Sequence, residues 1–317
     1  MSQLLIIALP SKGRLKEQCE AWLADCGFEV SGAGGRGYSA SLSGLPGAQV
    51  QFLSASAIAA ALEAGEVHLG VTGEDLLRER GEAAARRVIS LRPLGFGRAD
   101  VVVAAPQSWL DVETMADVEA VAHDFLARTG GRLRVATNYA VLTRAFFADH
   151  GIADYRIVAS DGATEGAPAA GLAELIVDIT TTGATLEANH LKMLDDGVIL
   201  KSQAQLAAGL TADWSPEQLA SVRRFLSVIE ARNRARRTAS IAWPADLDAA
   251  AQKASEAFLK NGASRRANGL LVQEADLFDA CQALTAAGIG PVTAARPDYV
   301  FEPVCKAADT LEAALSL

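Results

Sequence analysis

Short apolar runs alternate with amphipathic stretches along most of this chain. The first run, LLIIALP at 4–10, is unbroken and ends at a polar SKG turn, which predicts a buried strand. After the turn, Leu15, Cys19 and Leu23 recur at helical spacing up to Gly27, which predicts a helix that ends at this glycine. Strands that alternate with helices in this way predict an α/β fold with a largely parallel sheet.

Apolar runs and helical spacing also predict most of the secondary-structure elements up to residue 202. Further strands are predicted at 49–53, 67–71, 87–92, 99–105, 133–136, 155–159, 175–179 and 198–202. Further helices are predicted at 56–64, 140–150, 167–174 and 186–195. A glycine- and serine-rich stretch at 31–47 predicts a hairpin with loops.

The order of these elements predicts two lobes. Two consecutive strands are joined through PLGFG at 93–97, which indicates a crossing from one lobe into the other. The elements after TTTGAT at 180–185 are expected to return the chain. We therefore expect a first lobe at 1–95 and 182–235, and a second lobe at 96–181. The cleft between two such lobes is a favoured place for a ligand.

A separate small α/β domain is predicted at 236–317. It follows a helix at 216–235, for which Ser215 is the expected N-cap. The end of that helix is basic, which suits a helix C-terminus and a linker, and comprises Arg232, Arg234, Arg236 and Arg237. The domain itself is predicted as strand 238–243, helix 245–259, strand 269–272, helix 275–286, strand 291–295 and a short final helix.

The amino-acid composition and net charge limit the kinds of binding partner. The chain has 38 Asp and Glu against 29 Lys and Arg, for a formal net charge of −9, and 50% of its residues are apolar. This balance excludes a globally basic protein that binds nucleic acid or a membrane surface, but leaves local basic pockets open. Because no stretch approaches roughly 18 apolar residues and the N-terminus lacks signal-peptide features, we expect a cytoplasmic protein without a membrane partner.

Neither the cysteines nor the histidines are spaced like metal ligands. The 4 cysteines lack CxxC spacing and are expected to be reduced and mostly buried. The 4 histidines show no HxxxH or HExxH pattern, so we expect no zinc site and no histidine-activated nucleophile.

The most informative segment is a strand that runs through Asp178 into the TTTGAT loop and a helix. Threonine hydroxyls and successive N–H groups in such a loop bind phosphate oxygens, and glycine lets the backbone approach closely. The expected phosphate-binding residues are Thr181, Thr182, Gly183, Ala184 and Thr185. Asp178 and Glu174, on the strand that leads into the loop, are candidates to accept hydrogen bonds from sugar hydroxyls. An ordinary capped helix is the alternative, and the absence of GK[ST] excludes a Walker A motif.

Other candidates lie where predicted strands end, which is where α/β folds bind ligands. Lys12 and Arg14 follow the first strand and are placed to contact a pyrophosphate group, although unpaired surface cations are common there. Tyr139 either packs against a base or belongs to the core. Thr72 and Gly73 are candidates to meet a ligand, whereas the two acids that follow them equally suit the first turn of a helix.

Taken together, these segments resemble the ATP phosphoribosyltransferase family, which catalyses the first step of histidine biosynthesis. The matching segments are LPSKGRL at 9–15, GVTGED at 70–75, LGFGRADVVVAAP at 94–106, RVATNY at 134–139 and EGAPAAGLAELIVDITTTGATL at 165–186. They occur in the family's order, and the last is highly specific. Ser11 is inserted relative to the family pattern, and Glu174 stands where the family usually has aspartate.

The resemblance implies a fold and a reaction. The fold is a two-lobed, periplasmic-binding-protein-like catalytic core followed by a small C-terminal ferredoxin-like (ACT-like) α/β domain. In the reaction, N1 of ATP attacks the anomeric carbon of phosphoribosyl pyrophosphate (PRPP) and displaces pyrophosphate without a covalent enzyme intermediate. Catalysis is then mostly positioning and electrostatic stabilisation, and Mg²⁺ would arrive on the phosphates.

The resemblance also implies a role for each candidate. The loop at 181–185 would hold the 5′-phosphate of PRPP. The other expected contacts are Asp178 and Glu174 at the ribose hydroxyls, Lys12 and Arg14 at pyrophosphate or the ATP phosphates, and Tyr139 and Glu165 on the ATP side.

The resemblance is weakest in two regions. The segment LSASAIAAAL at 53–62 lacks the Arg- and Asp-containing turn that often follows this strand in the family. The C-terminal segment 236–317 resembles the family's histidine-binding regulatory domain at its beginning and end, but the sequence between them is shorter and different. Feedback inhibition by histidine is therefore one hypothesis. Assembly as a homo-oligomer, a hexamer or a dimer, and the need for a synthetase-like regulatory subunit remain alternative expectations.

The sequence alone leaves two other functions open. A non-catalytic two-lobed solute-binding protein would share the expected architecture. A phosphoribosyltransferase for another base would share the expected phosphate loop.

Overall fold

The computed structural model describes residues 4–32, 39–160 and 162–316. The strands are β1 (Leu5–Pro10), β2 (Val30–Ser31), β3 (Ser39–Leu42), β4 (Ala48–Leu53), β5 (Leu69–Gly73), β6 (Val88–Pro93), β7 (Asp100–Pro106), β8 (Leu133–Thr137), β9 (Tyr155–Ala159), β10 (Leu175–Thr180), β11 (Leu191–Leu200), β12 (Ala204–Gly209), β13 (Thr238–Ala242), β14 (Ser264–Arg266), β15 (Gly269–Gln273) and β16 (Thr293–Ala295). The helices are α1 (Gly13–Asp25), α2 (Ala55–Ala64), α3 (Glu74–Glu79), α4 (Glu82–Ala85), α5 (Met115–Thr129), α6 (Ala140–Asp149), α7 (Ala184–Ala188), α8 (Pro216–Ala235), α9 (Asp248–Lys260), α10 (Leu277–Ala286) and α11 (Lys306–Leu315).

Local sequence signals set several helix ends. The predicted cap of α8 is confirmed, since Ser215 and Gln218 form a reciprocal capping box. Helix α2 begins after Ser54, whose hydroxyl accepts a hydrogen bond from Ala57 N at 3.2 Å, and ends at Gly65 in the left-handed conformation. Local chemistry alone therefore places these ends.

The first lobe is built on a mixed sheet with strand order β2-β3-β4-β1-β5-β12-β6. Strand β1 runs parallel to β4 and β5, whereas β12 runs antiparallel to β5 and β6. The predicted hairpin at 31–47 is present as the pair β2 and β3, and its residues 33–38 lie outside the described residues.

The second lobe is built on a sheet with strand order β11-β7-β10-β8-β9. Strand β7 pairs antiparallel with β10 and β11, whereas β8 pairs parallel with β9 and β10. The expectation of largely parallel sheets is therefore wrong. No helix separates β6 from β7 or β11 from β12 as the chain changes sheets, and the strands next to these crossings run antiparallel to their neighbours.

The two crossings lie side by side and form a hinge. Ala99 N donates a hydrogen bond to Ser202 O at 3.1 Å, and Leu94 N donates to Ala204 O at 2.9 Å. The two lobes and the double crossing that the sequence predicts are therefore present.

The chain returns to the first sheet later than the sequence predicts. The helix predicted at 186–195 is wrong, because the five-residue α7 is followed by β11, which pairs with β7 in the second sheet. The register of β11 shifts between Met193 and Val198, so its buried residues recur at a spacing that imitates a helix. Strand β12 makes the return instead of the segment beginning at residue 182.

Two further differences concern helices of the second lobe. The helix predicted at 167–174 is wrong, because that segment, which contains Pro168 and Gly171, forms turns. Helix α5 is missed by the sequence reading, although Thr114 and Asp117 form a capping box at its start.

The predicted C-terminal domain is present as a third sheet with strand order β14-β15-β13-β16. All of its pairs are antiparallel, and its chain order is β13-α9-β14-β15-α10-β16. This βαββαβ arrangement is the ferredoxin-like topology expected from the sequence.

The final helix, α11, does not belong to that domain's core. Ala307, Ala308 and Leu311 are buried in the core of the first lobe, and Leu311 is only 1% exposed. Arg223 on α8 donates a hydrogen bond to Asp309 Oδ1 on α11 at 2.8 Å. The predicted single unit at 236–317 is therefore corrected, because its last helix completes the first lobe.

None of the described helices has the length and apolar character required to cross a bilayer.

The docking of α11 predicts that Leu311→Ala destabilises the first lobe. We expect a loss of about 2–4 kcal/mol in the free energy of unfolding, because a buried leucine is replaced by a cavity. Urea unfolding followed by tryptophan fluorescence measures it, since Trp22 packs against the same core. Leu110→Ala is the control: that leucine is 76% exposed, and a change within about 0.5 kcal/mol is expected. Equal midpoints for the two variants would contradict the docking.

Candidate active site

The predicted phosphate loop follows β10 and is open to solvent. Gly183 has φ of 79°, a left-handed conformation that suits glycine, and a Cβ there would have nothing within 4 Å. Gly183 N donates to Thr180 Oγ1 at 2.9 Å, which shapes the turn. Thr181, Thr182 and Thr185 are exposed. The loop therefore presents hydroxyls around an empty space that an oxyanion can enter.

Two carboxylates lie close to each other near the end of β10. Asp178 Oδ1 accepts a hydrogen bond from Ile179 N at 2.8 Å. Burial raises the pKa of Asp178, and the nearby Glu165 carboxylate raises it further, whereas the Thr164 hydroxyl opposes the shift. The structure thus places the Glu165 carboxylate near Asp178.

Glu174 lies at the wrong end of its strand to serve as a ribose contact. It precedes β10, about 20 Å from the phosphate loop at roughly 3.3 Å per residue. Its carboxylate forms an ion pair with the Arg134 guanidinium and accepts a hydrogen bond from Arg134 N at 2.7 Å. This ion pair and these hydrogen bonds lower the pKa of Glu174. The predicted substrate role of Glu174 is therefore corrected to a structural one.

Lys12 and Arg14 lie at the carboxyl end of β1, where the sequence places them. Both side chains are exposed, and neither forms a hydrogen bond or an ion pair with the described residues. The left-handed Gly13, with φ of 74°, turns the chain from β1 into α1. Two cations are thus held at a strand end, and the part of the chain that the structure describes supplies no counter-ion for them.

Lys12 and Arg14 and the phosphate loop lie near the same hinge residues, Gly97 and Arg98. Leu15, one residue after Arg14, packs on Gly97, with Leu15 Cδ1 2.8 Å from where a Cβ would stand. Thr181 Oγ1 donates to Arg98 O at 3.2 Å. Because residues 97 and 98 are adjacent, the start of α1 and the phosphate loop flank the same short segment.

Tyr139 is buried rather than available to a base. It is 6% exposed, and its hydroxyl donates to Asp75 Oδ2 at 2.8 Å. Burial and the neighbouring Asp75 carboxylate raise the pKa of Tyr139. Ser202 Oγ donates to the other oxygen, Asp75 Oδ1, at 2.7 Å. The expected ATP contact is corrected: Tyr139 belongs to a buried network that joins both lobes and the hinge.

The Thr72 side chain is buried away from any ligand, and Gly73 leaves room for the Asp75 carboxylate. Thr72 is 0% exposed, and its hydroxyl donates to Ala55 O at 2.7 Å. A Cβ on Gly73 would lie 2.2 Å from Asp75 Oδ1, so only glycine lets that carboxylate fold back. The predicted substrate contact by Thr72 is therefore corrected.

A second carboxylate of α3 also bridges the lobes. The two oxygens of Glu79 accept hydrogen bonds from Val141 N at 2.8 Å and Leu142 N at 3.0 Å. Glu79 thus caps α6 from the other lobe. The sequence reading missed Asp75, Glu79 and Ser202 as interlobe residues; the position of Asp75 directly after a strand end was the available signal.

Two cavities adjoin these elements. One of about 580 Å³ lies between α3, α4 and α6 and is lined partly by Leu77, Val141 and Leu142. Another of about 310 Å³ opens near the ends of β8 and β9, and small residues on both sides of Glu165 line it. The second cavity therefore lies next to the paired carboxylates.

Comparison with known proteins assigns the family. A family model for ATP phosphoribosyltransferase matches residues 54–230, which is more than half of the chain. The chain belongs to the ATP phosphoribosyltransferase family. Its phosphate loop and Asp178 lie inside the matched range, whereas Lys12 and Arg14 lie outside it.

Relatives and a solved structure agree with this assignment. The ATP phosphoribosyltransferase of Caulobacter vibrioides is 68% identical over 303 residues, covering 95% of each chain. That of Bradyrhizobium diazoefficiens is 58% identical over 236 residues, covering 74% of this chain and 73% of the relative. The Thermotoga maritima ATP phosphoribosyl transferase (HisG:HisZ) complex gives a TM-score of 0.55 at 24% identity, covering 72% of this chain and 96% of that chain. The last comparison supports the fold.

Within the parts of the chain that the structure describes, no group of three or more His, Cys, Asp or Glu residues is placed to hold a metal ion. The candidate carboxylates beside the phosphate loop include Asp178 and Glu165. This donor set suits a divalent ion that is already held by phosphate oxygens and waters.

The buried network predicts that Tyr139→Phe destabilises the protein. We expect a loss of about 1–3 kcal/mol, because the change leaves a buried Asp75 oxygen without its donor. Tyr155→Phe is the matched control, since the Tyr155 hydroxyl has no hydrogen-bond partner among the described residues; we expect a change within about 0.5 kcal/mol. Chemical unfolding of both variants measures the difference. Equal losses would show that the interlobe hydrogen bond contributes nothing.

Proposed function

We propose that this chain transfers the 5-phosphoribosyl group of PRPP to N1 of ATP and releases pyrophosphate, the first step of histidine biosynthesis. Family membership at 68% identity over 95% of the chain supports this reaction. It disfavours a non-catalytic solute-binding protein and a transferase for another base, because the relatives carry the name of this enzyme. The observation that carries the residue roles is the convergence of the phosphate loop and the start of α1 on residues 97–98.

The phosphate loop binds the 5′-phosphate in this proposal. The hydroxyls of Thr181, Thr182 and Thr185 and the backbone of Gly183 and Ala184 surround the open space after β10. Phosphate oxygens accept hydrogen bonds from such hydroxyls and N–H groups. Binding there fixes the anomeric carbon relative to the rest of the site.

Lys12 and Arg14 bind the leaving pyrophosphate. N1 of ATP donates its electron pair to the anomeric carbon while the bond from that carbon to the pyrophosphate oxygen breaks. Pyrophosphate leaves with the electron pair of the broken bond, so negative charge grows on its oxygen. Two unpaired cations stabilise that charge, and more strongly in the transition state than in the bound substrate.

Asp178 faces the ribose. Its half-buried carboxylate accepts hydrogen bonds from the ribose hydroxyls and stabilises positive charge that develops near the anomeric carbon as the leaving group departs. Its partly desolvated position strengthens this interaction, for the same reason that its pKa is raised.

Glu165 and the cavity of about 310 Å³ beside it receive ATP in this proposal. Small apolar residues such as Ala136 and Ala163 line the cavity, which suits the flat face of a purine. A divalent metal belongs to the family's reaction, and we assign Mg²⁺. It enters on the phosphates of PRPP and ATP and neutralises part of their charge.

The C-terminal domain is proposed to bind histidine and to mediate self-assembly. Its βαββαβ sheet is separate from the catalytic lobes and carries none of the proposed catalytic residues. The Thermotoga maritima relative was solved as a HisG:HisZ complex, so a regulatory subunit is the alternative arrangement.

A continuous absorbance assay of the purified chain tests the function. The mixture contains ATP, PRPP, Mg²⁺ and inorganic pyrophosphatase, and adenine absorbance reports attack by N1. We expect turnover by the chain alone and inhibition by millimolar histidine. Turnover that ignores histidine would overturn only the regulatory proposal. Turnover that appears only with an added synthetase-like subunit would overturn self-sufficiency, and substrate binding without turnover under either condition would overturn the enzyme proposal.

Gly183→Ala is expected to lower kcat/KM for PRPP roughly tenfold or more, because its Cβ and its strained backbone disturb the phosphate position. Gly130→Ala is the matched control. Gly130 has φ of 69° at the end of α5, and a Cβ there also meets nothing within 4 Å. Both variants should lose about 1 kcal/mol of stability, but only Gly183→Ala should lose activity. Equal activity losses would contradict the assignment of the loop.

A further inference from the structure

Arg92, near the end of β6, is a half-buried cation. Its Nε is buried and has no hydrogen-bond partner, and its side chain forms no ion pair with the described residues. Burial lowers the pKa of Arg92, the nearby Glu230 carboxylate opposes this shift, and the Arg237 guanidinium adds to it. A partly desolvated guanidinium without an ion-pair partner is costly, and a bound anion would reduce that cost.

A cavity of about 480 Å³ opens beside Arg92. Three separate parts of the chain line it: β6, the end of α8 with the linker that follows, and the segment that leads into α11. Its polar and charged lining comprises Arg92, Glu230, Asn233, Arg234, Arg237, Glu302 and Lys306. None of these residues belongs to the proposed catalytic set, so this site is independent of the proposed function.

The two acids that line this cavity, Glu230 and Glu302, are already paired. Glu230 Oε2 accepts a hydrogen bond from Arg234 at 2.9 Å, and Glu230 Oε1 accepts one from Ala307 N at 3.1 Å. Glu302 pairs with Arg234 at 3.5 Å.

Asp25, in a small cavity that Arg92 also lines, is paired as well. It forms ion pairs with Arg232 at 3.0 Å and Arg236 at 2.5 Å. Arg92, Arg237 and Lys306 are therefore cations without a counter-ion among the described residues.

We propose that this cavity binds the phosphate group of a small molecule. Two guanidinium groups, an ammonium and an amide supply several donors to one anion, and planar guanidinium groups suit phosphate oxygens. A phosphate group places its charge among cations that otherwise repel one another. The volume exceeds that of inorganic phosphate and is within the range of pockets that bind nucleotide-sized ligands. Inorganic phosphate and a nucleotide both carry such a group, so either could be the ligand.

The site would join three parts of the fold. Arg92 lies two residues before the hinge segment that begins at Leu94, Arg237 lies immediately before β13, and Lys306 begins α11. A ligand held by these three residues therefore contacts the catalytic lobe, the linker to the C-terminal domain and the returning tail at once.

Isothermal titration calorimetry with inorganic phosphate tests the proposal on the full chain at constant ionic strength. Wild type is compared with Arg92→Gln and Arg237→Gln. Arg266→Gln is the matched control, since Arg266 is also an exposed cation without a partner among the described residues. We expect the affinity of one phosphate site to fall about tenfold or more in the first two variants and to stay unchanged in the control. The difference between wild type and variant isolates this cavity from any phosphate bound at the catalytic loop.

Identical phosphate isotherms for wild type, Arg92→Gln and Arg237→Gln would overturn the proposal. Arg237 is exposed, so Arg237→Gln decides the question even if Arg92→Gln does not fold. A second titration with uridine monophosphate separates the two sources of the phosphate. Equal affinity for both probes means that the site binds the phosphate group alone, and tighter binding of the nucleotide means that the nucleoside occupies the rest of the cavity.

Discussion

The buried carboxylate of Asp75 is the interaction on which the arrangement of the lobes depends. It accepts hydrogen bonds from Tyr139 of the second lobe and from Ser202 of the hinge, at 2.8 and 2.7 Å. A buried carboxylate stabilises a fold only when such donors reach it, since an unpaired one is costly. Asp75 therefore fixes the distance between the lobes, and with it the place where the phosphate loop and the start of α1 meet.

The Asp75 carboxylate restricts which residue can stand at position 73, and a second carboxylate reinforces the contact between the lobes. Gly73 must lack a side chain because the Asp75 oxygen occupies the position of its Cβ. Glu79 adds a second bridge by capping α6 from the opposite lobe. The GVTGED motif thus supplies hydrogen bonds that join the two lobes.

Helix α11 ties the C-terminal end of the chain to the first lobe. The chain leaves the first lobe through α8, forms the C-terminal domain and returns to bury Leu311 in the first lobe's core. Because the C-terminal domain is held at both ends, its position is coupled to the catalytic lobe. The cationic cavity at Arg92 and Lys306 lies at this double connection.

The sequence by itself determined the family, the two lobes and the ferredoxin-like tail, and it placed the threonine- and glycine-containing loop at 181–185 and the cations Lys12 and Arg14 at strand ends. These follow from local signals: apolar runs, capping residues and turn chemistry act over a few neighbouring residues. Only the tertiary structure decided that Glu174 pairs with Arg134, that Tyr139 is tied to Asp75 and that β11 is a strand. The partner of a charge or a bulged strand depends on residues distant in sequence, and hydrophobic periodicity carries no information about them.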